Sequence, residues 1–178
     1  MTVIPAGGRR ASSVDDLLAI EAIHQLKYRY FRFLDQKQWA ALGALLTDEV
    51  VASYGGGAYA FAGRSEVVAF LERSMGREDF LSSHRGHHPE ITFMGEQEAH
   101  GVWAFDDEVL IGEWNLAVRG AGFYHDVYAR EPDTELGWAI AQTGYRRSFE
   151  QLFPLDAIAG HKITASWWGT DGRSTLSA

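Results

Sequence analysis

The chain has 178 residues, 46% of them apolar and 22% charged, the composition of one soluble globular domain with a core of ordinary size. Its net charge of −8 argues against nucleic acid and anionic membrane as partners, since both require clustered Lys and Arg. The absence of cysteine excludes a disulfide framework and a thiolate metal site, and no run approaches the ~18 apolar residues of a bilayer span; a cytoplasmic location is the expectation.

Met1 to Ser12 carries Arg9 and Arg10 with no apolar run behind them, so it reads as a disordered lead and not as a signal peptide. Ser13-Val14-Asp15-Asp16 has the form of an N-cap with an acidic first turn. The helix it opens runs to about Leu34, with Leu17, Ile20, Ile23, Phe31 and Leu34 on one stripe and His24 and Lys27 inside or beside it. A short second helix is predicted from about Trp39 to Leu46. Val50 to Tyr54 is β-rich and stops at Gly55-Gly56-Gly57, and Tyr59 to Ala62 can return as a hairpin arm. A third helix starts near Ser65 and carries Val68, Leu71 and Met75 at helical spacing. Beyond about Ser82 the period becomes 2. Five strands are predicted, at 83–94, 98–106, 108–119, 121–131 and 136–149, with turns at Gly95-Glu96, Asp106-Asp107 and Pro132-Asp133. Helices followed by a long antiparallel meander make an α+β fold, in which a curved sheet wraps the helices into a cone. Residues 151–178 form an extension whose Trp167-Trp168 pair is too apolar for a free tail and is expected to pack on the domain or on a neighbouring subunit.

Two segments carry the chemistry. Asp35 closes the first helix, and His84 opens the strands 49 residues later. A carboxylate that accepts from one imidazole nitrogen fixes the tautomer and leaves the other nitrogen to take a proton, as removal of a C–H beside a carbonyl requires. The alternative is that Asp35 caps the helix of Trp39 and His84 is a satisfied core residue. Tyr30 and Tyr54 can donate to an oxygen that gains charge, or they are core aromatics. Lys27 more often reaches past an apolar edge to water than into a pocket. His84, His87 and His88 invite a metal reading, yet no HExxH or acidic partner stands at diagnostic spacing, so no metal or other cofactor is expected. Arg146 and Arg147 alternate faces, and one of them can clamp a carbonyl or anion inside. The glycine clusters lack the context of a P-loop or a dinucleotide fold.

Taken together, the segments from Leu26 to Asp35 with Trp39, from Leu45 to Val50, Gly63-Arg64-Ser65, Ser83-His84 with Pro89 and Ile91, and Gly122 to Tyr128 with Trp138 to Ile140 resemble the SnoaL-like branch of the NTF2-like superfamily. The resemblance spans roughly residues 13 to 150 and implies an α+β cone-shaped barrel with a deep apolar pocket, often dimeric or trimeric. Relatives include polyketide cyclases, scytalone dehydratase, bile-acid dehydratases, a dehydrochlorinase and ketosteroid isomerase. Asp35 and His84 match the family's Asp-His dyad. Tyr30 matches a catalytic Tyr of dehydratase-like members, where the dehydrochlorinase has a Lys; Tyr54 matches a second such Tyr. His88 stands in place of a more common Asn. The implied substrate contacts are Tyr54, His88, Arg146 and Trp103, with Arg147 the alternative to Arg146. The expected function is a cofactor-free lyase or isomerase acting on a hydrophobic small molecule. The alternative is a binding module, or an assembly subunit like that of an oxygenase, that uses the same cone without the dyad.

Overall fold

The computed structural model describes residues 7–176. Helix α1 (Val14–Asp35) begins as the sequence predicts: the Ser13 hydroxyl accepts from the Asp16 amide, and Asp15 and Asp16 sit in the first turn. Its buried face is Ala19, Ile23, Leu26, Lys27, Tyr30, Phe31 and Leu34. Leu17, predicted on that stripe, is exposed. At about 3.6 residues per turn it points well away from the face that Ala19, Ile23 and Leu26 share. Full burial of an aliphatic or aromatic side chain contributes about 1.5–3 kcal/mol, against ~0–1 kcal/mol for an exposed ion pair. The apolar stripe, not the surface charges, therefore docks the helix.

Helix α2 (Trp39–Gly43) is shorter than predicted, because strand β1 (Leu46–Tyr54) already begins at Leu46, which pairs with Ile140. A 3-10 turn at Gly55–Gly57 leads into β2 (Tyr59–Ala62), and Gly56 there has φ 68°. Helix α3 (Arg64–Met75) buries Val67 and Leu71. Four long strands follow: β3 (Phe80–Phe93), β4 (Glu98–Ile111), β5 (Leu116–Arg130) and β6 (Trp138–Pro154). The six strands form one open sheet in the order β2-β1-β6-β5-β4-β3. All neighbours are antiparallel except β1 and β6, which run parallel.

The predicted turn at Asp106-Asp107 does not exist. Both residues lie in the middle of β4, on opposite faces, and the chain turns instead at Gly112 to Asn115. The predicted strand at 108–119 is thus divided: its first residues end β4, and its last open β5, which runs on through the predicted 121–131 strand to Arg130. Strand β6 also runs past Phe149 to Pro154, where it pairs with Leu116. In the segment beyond it, the Lys37 ammonium lies 4.8 Å over the Trp168 ring, and Trp168 meets Trp167 edge-on.

The sheet curls round α1. One face of β4 and β5 alternates into the core through Trp103, Phe105 and Asp107, and through Tyr124, Asp126 and Tyr128. The result is an α+β cone with the aromatic side chains packed inside. Among the described residues, no helix is long and apolar enough to cross a membrane.

The predicted lead at 1–12 falls partly outside the described residues, but Arg9 is held in place. It pairs with Phe93 through two backbone hydrogen bonds, and its guanidinium grips both oxygens of Asp16 at 2.6 and 2.9 Å. The Arg9 side chain, then the Ser12 amide, holds the Asp16 carboxyl below the usual carboxylate range. Such a group stabilises the folded state above its unfolded value of about 3.9 and loses that contribution as pH falls through its lower folded value. Acidification below about pH 4 is therefore expected to weaken the hold of Arg9 progressively, so that amide exchange at Phe93, corrected for its intrinsic rate, rises as pH falls further. Asp16→Asn should give the same increase at neutral pH.

Candidate active site

Asp35 is the last residue of α1, and its carboxylate faces β3. Oδ1 accepts from the Ser82 hydroxyl at 2.8 Å and lies 2.7 Å from His84 Nδ1. Oδ2 accepts from the His84 backbone N–H at 2.8 Å. The carboxylate is therefore oriented by three groups of β3. Asp35 does not cap α2: the N-cap position there is Gln38.

The His84 ring stacks on Phe31, one helical turn before Asp35, with centroids 6.2 Å apart and planes 6° from parallel. Gly86 makes room for this stack, since a Cβ there would stand 2.5 Å from Phe31 Cε2. On the far edge of the ring, Nε2 is 3.9 Å from Asp107 Oδ2, beyond hydrogen-bond reach. Asp107 is clamped by Arg147, which donates from Nη1 at 2.8 Å and from Nη2 at 2.7 Å. Glu150 lies 2.6 Å from Arg147 Nε. Burial works against the Arg147 charge, but its bonds to Asp107 outweigh this and hold it protonated. The side chains of Asp35, Arg147 and His84 keep 21%, 17% and 9% exposure, so this group forms the rim of the interior.

A second group lies deeper. The Tyr30 and Tyr54 hydroxyls are 3.1 Å apart, and burial pushes both phenols above their ordinary value. Beneath them Lys27 is fully buried, with Nζ 2.8 Å from Asp126 Oδ2. The same ammonium is 3.7 Å from the Tyr124 ring centroid and 4.7 Å from that of Tyr30. Asp126 also accepts from Tyr128 and Thr143, each at 2.8 Å, and Tyr128 accepts from the Trp103 indole at 2.9 Å.

The structure thus joins Asp35 to His84 and Tyr30 to Tyr54, and separates the other candidates from them. Trp103 is fully buried, its N–H given to the Tyr128 hydroxyl, so it belongs to the internal network and not to an accessible wall. His88 sits in a β-bulge at φ 47°, which breaks the alternation that was to align it with His84; its ring meets that of His87. His87 pairs with Asp106. Of the two arginines, Arg147 reaches the interior. Arg146 lies on the opposite face, lining a cavity of about 160 Å³ with Ser53, His125 and Gln142. Lys27 is sealed inside and does not reach water. Asp107 escaped notice because an Asp-Asp pair reads as a turn. Its phase with Trp103 and Phe105 was the available signal.

The SnoaL-like domain model matches residues 15–143, which is most of the chain. The chain belongs to the SnoaL-like family. Among solved structures, a protein described as a putative scytalone dehydratase from Novosphingobium aromaticivorans is 19% identical, with 89% of this chain and 97% of that one covered at a TM-score of 0.68. A hexachlorocyclohexane dehydrochlorinase (LinA, type 2) is 18% identical over 83% of this chain and 95% of its own, at a TM-score of 0.71. ActVI-ORFA from Streptomyces coelicolor is 13% identical over 72% and 96%, at 0.61. At these identities the likeness is one of fold, and it agrees with the helices packed on a curved sheet described above. Among the described residues, no cluster of His, Cys, Asp or Glu is able to hold a metal ion.

The internal ion pair yields a stability test. Lys27→Met strands a buried Asp126 charge and is expected to cost about 3–5 kcal/mol. Adding Asp126→Asn removes that charge: the amide oxygen accepts from one of the Tyr128 and Thr143 hydroxyls and the NH2 donates to the other, so the double variant should recover most of the loss in chemical denaturation. A double variant no better than the single one would mean that the pair does not carry this cost.

Proposed function

We propose that the protein is a cofactor-independent lyase or isomerase acting by proton transfer on a hydrophobic small molecule that carries a carbonyl. The observation that carries this reading is the contact between Asp35 and His84 Nδ1, backed by the Ser82 hydroxyl and the His84 amide on the same carboxylate. Asp35 accepts a hydrogen bond from Nδ1–H, which leaves the Nε2 lone pair to take a proton from carbon beside the carbonyl. The imidazolium so formed meets the Asp35 charge directly. In an elimination, the electrons of the broken C–H bond form the double bond, the C–O bond breaks, and the β-oxygen leaves as water with the proton that the His84 imidazolium returns. In an isomerisation, His84 returns its proton to a different carbon. Tyr30 and Tyr54 are the hydrogen-bond donors proposed for the oxygen that gains charge. Asp107, held by Arg147, is a positioning residue at the second edge of the ring. The relatives described as a dehydratase and a dehydrochlorinase are consistent with a reaction of this class.

One observation favours a second reading, a binding or assembly module. Tyr30 and Tyr54 are sealed from solvent, so their use by a substrate demands that the interior open. Partners beyond the small molecule, and assembly as a dimer or trimer, belong to either reading.

The test is a panel of β-hydroxy ketones, β-hydroxy thioesters and β,γ-unsaturated ketones followed by ultraviolet absorbance. His84→Ala and Asp35→Asn should each lower kcat by about 10²–10⁴-fold, the range of general acid–base catalysis, with unchanged circular dichroism. Full turnover by His84→Ala would end the dyad reading. Binding of panel members without turnover by the wild type would favour the module.

A further inference from the structure

The loop between β5 and β6, residues 131–137, folds back over the first two helices. Between them lies a cavity of about 440 Å³, distinct from the Asp35–His84 rim. Small-molecule sites typically enclose about 300–1,000 Å³, so the space suits a compact organic ligand. Its walls are largely apolar: Leu26 and Phe33 from α1, Ala44 at the end of α2, and Leu136 and Trp138 beyond the loop. Two charged residues also line it. Arg29 on α1 donates from Nη1 to Glu135 Oε2 at 2.7 Å and from Nη2 to Oε1 at 2.8 Å.

We propose that this cavity binds a small apolar carboxylate whose head group takes the place of Glu135 on Arg29. The site already holds a carboxylate in two-pronged geometry, supplied by the protein's own loop. The Glu135 side chain is 74% exposed, so exchange returns it to water with little desolvation cost. An exposed pair of this kind contributes little by itself. The ligand's apolar body shields its contact with Arg29 from water, which makes that contact stronger than the exposed pair it replaces, and burial of the body in the cavity adds to the gain. A second, independent feature points to an occupant. Trp138 is 2% exposed, lines the cavity, and its buried indole N–H has no acceptor among the described residues. Buried donors in folded proteins are rarely left so.

The inference does not rest on proton transfer at His84, and its test needs no turnover. Naphthalene-2-carboxylate and the neutral naphthalene-2-carboxamide are the probes, titrated by calorimetry into the full chain. The acid should bind about tenfold more tightly than the amide, the advantage of a charge-assisted bidentate contact. Glu135→Gln, which removes the competing charge, should tighten the acid several-fold. Arg29→Met should erase the preference for the acid. Ala44→Trp, checked for folding by circular dichroism, should block both probes, whereas Asp35→Asn should alter neither. Binding that survives Ala44→Trp would put the probe elsewhere and overturn the proposal. So would equal affinity for acid and amide, or no binding of either probe at millimolar concentration.

Discussion

A sheet that curls round a helix removes its inner face from water, and every polar group placed there must then find its partner within the protein. That constraint organises this molecule. Lys27 is the hardest case, a fully buried ammonium in the middle of α1. Asp126 answers it from β5 and is itself completed by Tyr128 and Thr143. The same requirement holds at the rim, where Asp107 receives Arg147 from β6. Along α1, Lys27 is matched to β5, Tyr30 to β1 and Asp35 to β3. One helix is thereby registered against three strands by polar contacts, while its apolar stripe provides the energy of docking.

The local features were legible because their physics is local. The Ser13 cap, the glycine stop after Tyr54 and the shift to period 2 near Ser82 each depend on a few neighbouring residues. What escaped depends on partners far along the chain. Asp106 and Asp107 look like a turn until each is seen paired across the sheet, Asp106 with Arg85 and His87, Asp107 with Arg147 forty residues away. The choice between Arg146 and Arg147 was open for a related reason. Register shifts between Ala121 and Gly122 and between Val127 and Tyr128 mean that strand parity cannot be counted from one end of β5–β6 to the other. Lys27 defied the expectation for lysines because its counter-charge lies 99 residues on.

The residues alone left Asp35 and His84 between a proton-transfer pair and two unrelated structural roles; the family resemblance is what set them together. Their geometry adds an argument that neither provides. A carboxylate receiving a hydroxyl and a backbone amide, besides the imidazole, has little freedom to turn. The ring it holds is also stacked on Phe31, which Gly86 admits by lacking a Cβ. Orientation of the imidazole is thus fixed before any ligand arrives, and such preorganisation lowers the reorganisation cost of proton transfer.

Access separates the two halves of this machinery. Asp35 and Arg147 retain partial exposure at the rim, and His84 a little, whereas Tyr30, Tyr54 and Lys27 are enclosed by the aromatic packing. In the proposed reaction a substrate would therefore meet His84 near the surface, and the tyrosine hydroxyls only once side chains inside the cone give way. Tyr145 stands between the two groups. It is only partly buried, packs against Tyr54, Phe105 and Tyr124, and lies beside the Arg147 guanidinium. The Lys27–Asp126 pair is thus the floor of the interior and the Asp35–His84 contact part of its rim, and the rings of Tyr54, Phe105, Tyr124 and Tyr145 fill the space that divides them.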